Sequence, residues 1–228
     1  MHYLFFDESY RAEPEKALLI AAWAVEQQRL NWHVDELPEL YKTPIIGGIL
    51  RLFDALGAHA VVTQTALNAE FWQPNQVDGT SDIPSMARTD NIWSMCAIFS
   101  VASLIAELII GGEHLGTVDI HFDPKDLTSS HETAVEKTLR DQLAPQAKRL
   151  VPARFRAQLV EMRIRRITSV TKAPAGHPRD KFQTGTWIAD RLCAHREELR
   201  ERGGSVRVKL EDITEVVRST AQRFDGKS

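Results

Sequence analysis

Met1-His2-Tyr3-Leu4-Phe5-Phe6-Asp7-Glu8-Ser9-Tyr10 opens the chain with an aromatic and aliphatic run that breaks at two carboxylates. A run of this kind reads as a buried β-strand. Asp7 and Glu8 then stand at its carboxyl end. Sheets with parallel strands place their ligands at such ends. The acid pair is therefore the first candidate for a working site in an α/β domain.

Lys16 to Val25 is a second apolar, β-like run, and the polar segment between the two, with Pro14, predicts a hairpin. Asn31 to Tyr41 reads as helical turns, and Ile45 to Leu56 as a helix stopped by Gly57. Ala58 to Leu67 is a strand, and Gln73 to Arg88 a long polar loop of the kind that usually serves function. Thr89 or Asp90 can cap the apolar helix that Gly111-Gly112 ends. From Leu115 to Asp123, Val118, Ile120 and Phe122 alternate with Asp119, His121 and Asp123, so the three polar side chains share one face. Ser129 and Glu132 open a helix to about Leu143. Leu159 to Ile167 reads as a strand, Phe182 to Leu199 as a helix, Val206 to Leu210 as a short strand and Glu211 to Phe224 as an amphipathic helix.

This order predicts an α/β fold. Its mixed central sheet has an antiparallel hairpin at one edge, then parallel strands, with helices on both faces. No linker interrupts the chain, so one domain is expected over 1–228. Its core runs to about residue 200, and a helical extension over 204–228 is suited to homodimerisation.

Of the 228 residues, 43% are hydrophobic and 26% charged, with a net charge of -3. The whole-molecule field is not that of a nucleic-acid binder, so any basic surface must be local. Cys96 and Cys193 lie far apart without a CxxC spacing, as reduced thiols of a cytoplasmic protein do. Ile92 to Ile110 is apolar but contains Glu107 and three serines, which fits a buried central helix rather than a membrane span. The phosphate-binding GxxxxGK[ST] and GxGxxG loops, the HExxH zinc helix and the GxSxG elbow do not occur.

Three acids are the candidates for the chemistry, although Asp7 can equally serve as a turn-forming residue after its strand. Asp7 and Asp123 end strands that point into one crevice if they are neighbours. Asp190 lies among apolar residues on a helix and needs a partner there, either a cation such as Arg191 or a metal. Hard divalent ions such as Mg²⁺ bind through carboxylates, water and substrate phosphate. Of the Asp119-His121-Asp123 face only Asp123 is retained, because alternate strand residues are roughly 7 Å apart and rarely serve one ion. Seven basic residues fall between Lys148 and Arg166, opposed only by Glu161. With Arg179 and Lys181 they offer a phosphate-backbone track, or an ordinary solvated strand face. Arg163, Arg165, Arg166, Arg179 and Lys181 are the nucleic-acid candidates.

Tyr3-Leu4-Phe5-Phe6-Asp7-Glu8-Ser9 resembles the opening "(I/V)DES" strand of the domain of unknown function 3800 family. Val118 to Asp123 resembles that family's middle strand, and Ile188-Ala189-Asp190-Arg191-Leu192-Cys193-Ala194 its "LADLIAG" helix. The family is grouped with ribonuclease H-like folds, so the resemblance implies a divalent-metal-dependent nuclease acting on RNA or DNA with Mg²⁺ or Mn²⁺. Asp7, Asp123 and Asp190 take the metal-ligand roles by that resemblance, with Glu8 a fourth catalytic candidate that a continuing strand would turn away. Glu70 is a further candidate carboxylate. The chain departs from the family pattern at Tyr10, at Trp187 and in the separated Ser169 and Lys172. Those departures leave a second reading open, an inactive ribonuclease H-like module that binds nucleic acid or a protein partner.

Overall fold

The computed structural model describes residues 1–11, 17–32, 45–66, 86–123, 129–171, 173–174, 177, 179–201 and 207–225. Among the described residues six strands form one sheet: β1 (His2–Arg11), β2 (Ala17–Glu26), β3 (His59–Ala66), β4 (Thr117–Phe122), β5 (Arg163–Ser169) and β6 (Val208–Asp212). The spatial order is β5-β4-β1-β2-β3-β6. β2 is antiparallel to both β1 and β3, whereas β4 runs parallel to β1, β5 to β4 and β6 to β3. The predicted mixed sheet is therefore present. The hairpin is its centre rather than its edge, which explains why β2 is buried along nearly its whole length. A strand covered by helices on both faces reads as a continuous apolar run.

The helices are α1 (Gln27–Trp32), α2 (Ile45–Leu56), α3 (Met86–Ile110), α4 (Ser129–Leu150), α5 (Arg156–Glu161), α6 (Lys181–Ala194), α7 (Arg196–Glu201) and α8 (Thr214–Asp225). Leu4, Phe6, Ile20, Ile120 and Phe122 turn one face of the sheet toward α3 and α4. Tyr3, Phe5, Trp23 and Val62 turn the other toward α2 and α6. Trp93–Ile110 is long and apolar enough to cross a membrane, but 78% of it is buried inside the fold. This part of α3 packs on β1, β2 and β3 and against α4 and α8. Gly112, at φ 90°, ends the helix in a conformation that glycine adopts without strain.

Several boundaries differ from the sequence reading. β1 continues past Asp7 and Glu8 to Arg11, because Ala17 to Ala21 supply a paired strand opposite. Thr89 and Asp90 lie inside α3, one turn beyond its start, rather than at a cap. α4 continues past Leu143 to Leu150 with Pro145 inside it. The segment expected as a strand from Leu159 is helical to Glu161, and the strand begins at Arg163. The long helix predicted to Leu199 breaks at His195 into α6 and α7. The tail is no extension: β6 pairs with β3, and Ile213 and Val217 are buried in the α3 core. On α8, Val217 is buried against that core, whereas Val216 is exposed. Glu70, Lys172 and most of the Gln73 to Arg88 segment lie outside the described residues.

Candidate functional site

Alternation along β1 places Tyr3, Phe5 and Asp7 on the α6 side of the sheet and Leu4, Phe6 and Glu8 on the other. Asp7 and Glu8 are both buried, at 1% and 5% exposure. The acid pair is therefore divided between two faces, and Glu8 does not join the Asp7 side. Asp7 Oδ1 accepts the Glu8 backbone N–H at 2.8 Å.

Phe6 pairs with Phe122 in the parallel β1–β4 ladder, so Asp7 and Asp123 are the next residues of adjacent strands. Adjacent strands lie about 4.8 Å apart. Asp123, the residue after β4, is buried. The third acid arrives on α6. Its capping box, Asp180 with Gln183, starts the helix, and Gly185 lets it approach the sheet. A Cβ at Gly185 would stand 2.3 Å from the Phe5 ring, and the Gly185 carbonyl accepts the Trp23 Nε1–H at 2.8 Å. Two turns on, the Cys193 thiol reaches the Asp7 backbone oxygen at 3.6 Å. Burial pushes this thiol well up, and the Asp7, Asp190 and Glu8 carboxylates push it the same way. Asp7 and Asp190 thus lie within electrostatic reach of one buried sulfur.

Asp190 is engaged by Arg191, whose Nε donates to Oδ2 at 3.0 Å and whose Nη2 donates to the same oxygen. Three carboxylates are the donor type a hard divalent ion takes. In this arrangement, however, no three His, Cys, Asp or Glu side chains among the described residues are gathered to hold a metal ion.

The other two polar groups of β4 have separate roles. Arg165 forks onto Asp119, donating from Nε to Oδ1 at 2.8 Å and from Nη2 to Oδ2, and this bond holds the Asp119 carboxyl below its usual range. His121 packs among Tyr3, Phe5 and Phe182, with ring centroids 5.6, 5.5 and 4.4 Å away. Burial pushes its pKa from 6.5 down to about 4. Between those values the unfolded chain binds the extra proton, so stability falls as pH falls through that window. Lowering the pH from 7 to 5 is expected to cost about 2 kcal/mol at this residue. Urea unfolding at the two pH values should show a smaller drop for His121→Phe than for wild type. An equal drop in both would sink this account.

The basic run is not one strand face. Lys148 and Arg149 end α4, Arg154 lies in a 3-10 turn over the Phe155 ring, and Arg156 starts α5. Only Arg163, Arg165 and Arg166 lie on β5. A bulge gathers them: Val118 pairs with Ile164 and Asp119 with Arg166, leaving Arg165 as the extra residue. Arg163 opposite Thr117, and Arg166 opposite Asp119, face the α6 side. Lys181 Nζ lies 5.3 Å from the Tyr3 ring centre and 5.1 Å from that of Phe182. Arg166 and Lys181 both depress the His121 pKa, so they flank the same ring. Arg179 lies over Trp187. The bulge and the Asp119–Arg165 fork were not legible in the sequence; the only signal was an acid on one strand and an arginine cluster on the next candidate.

No family model matches this chain, and no curated protein matches it. Among the solved structures similar to it are two ribonucleases. Ribonuclease H2 from Pyrococcus horikoshii OT3 has 12% identity and a TM-score of 0.43, over 91% of this chain and 81% of that one. RNase HII from Archaeoglobus fulgidus, solved in complex with PCNA, has 15% identity and a TM-score of 0.40, over 89% and 77%. The fold itself is α/β, a mixed six-stranded sheet in which β4 lies parallel beside β1, β5 beside β4 and β6 beside β3. Neither likeness bears on what this chain binds or cleaves.

Proposed function

We propose that this protein is a divalent-metal-dependent nuclease of the domain of unknown function 3800 kind, cleaving phosphodiester bonds in RNA or DNA. One observation supports the reading: Asp7 and Asp123 stand next to the last paired residues of adjacent parallel strands, and Asp190 rides on the helix whose Cys193 thiol reaches the Asp7 backbone oxygen, with an arginine-bearing strand alongside. Asp7 and Asp123 are held by adjacent strands, and Asp190 by a helix that Gly185 lets down onto Phe5. Their carboxylates would hold Mg²⁺ or Mn²⁺. An ion held by them would supply the Lewis acid that activates water and stabilises the leaving oxygen. Arg163, Arg165, Arg166 and Lys181 supply positive charge for the phosphate backbone, and Arg179 adds to it beyond Trp187. Glu8, which alternation turns toward the other face, is the weaker fourth candidate.

The test is cleavage of labelled single-stranded and duplex RNA and DNA with Mg²⁺ or Mn²⁺ against EDTA. Metal-dependent products that vanish in EDTA are expected. No cleavage with either metal overturns the nuclease reading.

The Arg191 guanidinium on Asp190 favours the second reading, an inactive nucleic-acid-binding module, since it supplies internally the charge a metal would bring. That reading predicts salt-dependent strand binding without turnover, and no Mn²⁺ uptake in calorimetric titration.

A further inference from the structure

Asp119 is buried at 2% exposure, belongs to neither the acid trio nor the hydrophobic core, and spends both oxygens on one arginine. That arginine, Arg165, is the extra residue of the β5 bulge, and its side chain is 52% exposed. A guanidinium carries five N–H donors in a rigid plane. The fork on Asp119 uses the Nε and Nη2 edge. The other edge, formed by Nη1 and the remaining Nη2 hydrogen, is directed away from the carboxylate, and two parallel donors of this kind match a phosphate.

We propose that Asp119 is a positioning residue that holds Arg165 as an oriented phosphate clamp, and that the clamp makes the protein select nucleic-acid strands over free nucleotides. The proposal rests on the nucleic-acid reading above. Asp119 in β4 and Asp123 just past its end are four residues apart, roughly 13 Å along an extended chain at about 3.3 Å per residue. Successive phosphates of one strand are separated by about 3.4 Å of axial rise together with the winding of the backbone. A phosphate at the clamp and another at the acids are thus more than one nucleotide apart, a span no mononucleotide covers.

Charge and positioning predict opposite signs, which makes the proposal testable. Removing a negative charge near a polyanion site strengthens binding if charge alone matters. Loss of the fork weakens it. Fluorescence anisotropy with a labelled oligodeoxythymidine strand and a labelled duplex, in EDTA and across a NaCl series, measures both. Asp119→Asn is expected to bind about three- to tenfold more weakly, with the salt dependence shallower by about one phosphate contact. Arg165→Lys keeps the charge but not the fork, and the same weakening is expected; it also serves if thermal melting shows Asp119→Asn unfolded. A nucleoside monophosphate should not displace the strand. The clamp is overturned if wild type binds while Asp119→Asn and Arg165→Lys bind as tightly or more tightly, or if the monophosphate competes as well as a strand does. If wild type shows no salt-dependent binding, the nucleic-acid reading fails and the clamp falls with it.

Discussion

Asp7→Asn is expected to lower metal-dependent cleavage on the order of 10²- to 10³-fold, with little change in fold. A divalent ion stabilises developing charge by several kcal/mol, and each 1.36 kcal/mol is tenfold in rate. Asparagine keeps the shape and one acceptor for the Glu8 N–H, so the local turn of hydrogen bonding survives. It removes the charge that Asp7 shares with its neighbours around Cys193. Asp190→Asn should lose activity to a similar degree. Glu8→Gln should lose far less, since β1 turns that side chain toward the α3 face. Steady-state cleavage by the three variants checks the division. Equal losses at Asp7 and Glu8 would show that the two faces do not separate their roles.

Gly185→Val is expected to destabilise the fold by about 2–3 kcal/mol and to lower Tm by about 5–10 °C. An added Cβ meets three Phe5 ring atoms at 2.3, 2.3 and 2.7 Å. That ring cannot swing aside, because it is fully buried and stacked between Trp23, at 4.8 Å, and His121, at 5.5 Å. The gain from replacing glycine in a helix is at most about 1 kcal/mol, so overpacking wins. α6 also carries Asp190 and Cys193, and cleavage should fall with stability. Gly47→Ala is the contrast: in α2 its Cβ meets only Arg51 Nη1 at 4.0 Å, so the helix gain is unopposed. Calorimetry of both variants reads the difference. A Tm for Gly185→Val at or above that of wild type would mean that α6 does not press on Phe5.

Local periodicity made much of the candidate site legible. Alternation along Val118 to Asp123 predicted one face for Asp119, His121 and Asp123; Val118, Ile120 and Phe122 fill the α3 side, and His121 packs on Tyr3 and Phe5 opposite it. The break in the opening strand singled out Asp7, and the apolar neighbours of Asp190 marked it as needing a partner, which Arg191 supplies. A regular strand or helix repeats its side-chain directions every few residues, so a short stretch of sequence carries that information complete.

Neighbours in the sheet are another matter. That β1 runs on to Arg11, that the hairpin is central and that β6 joins β3 all depend on which distant segment pairs with which. The β5 bulge is a mismatch between two strands, visible in neither alone, yet it aims Arg165 at Asp119. Gly185 reads as an ordinary weak point in a helix until Phe5, 180 residues earlier, is found against it. The residues and their faces came from the chain's own local pattern. Their meeting came from long-range pairing and close packing, whose partners no local pattern names.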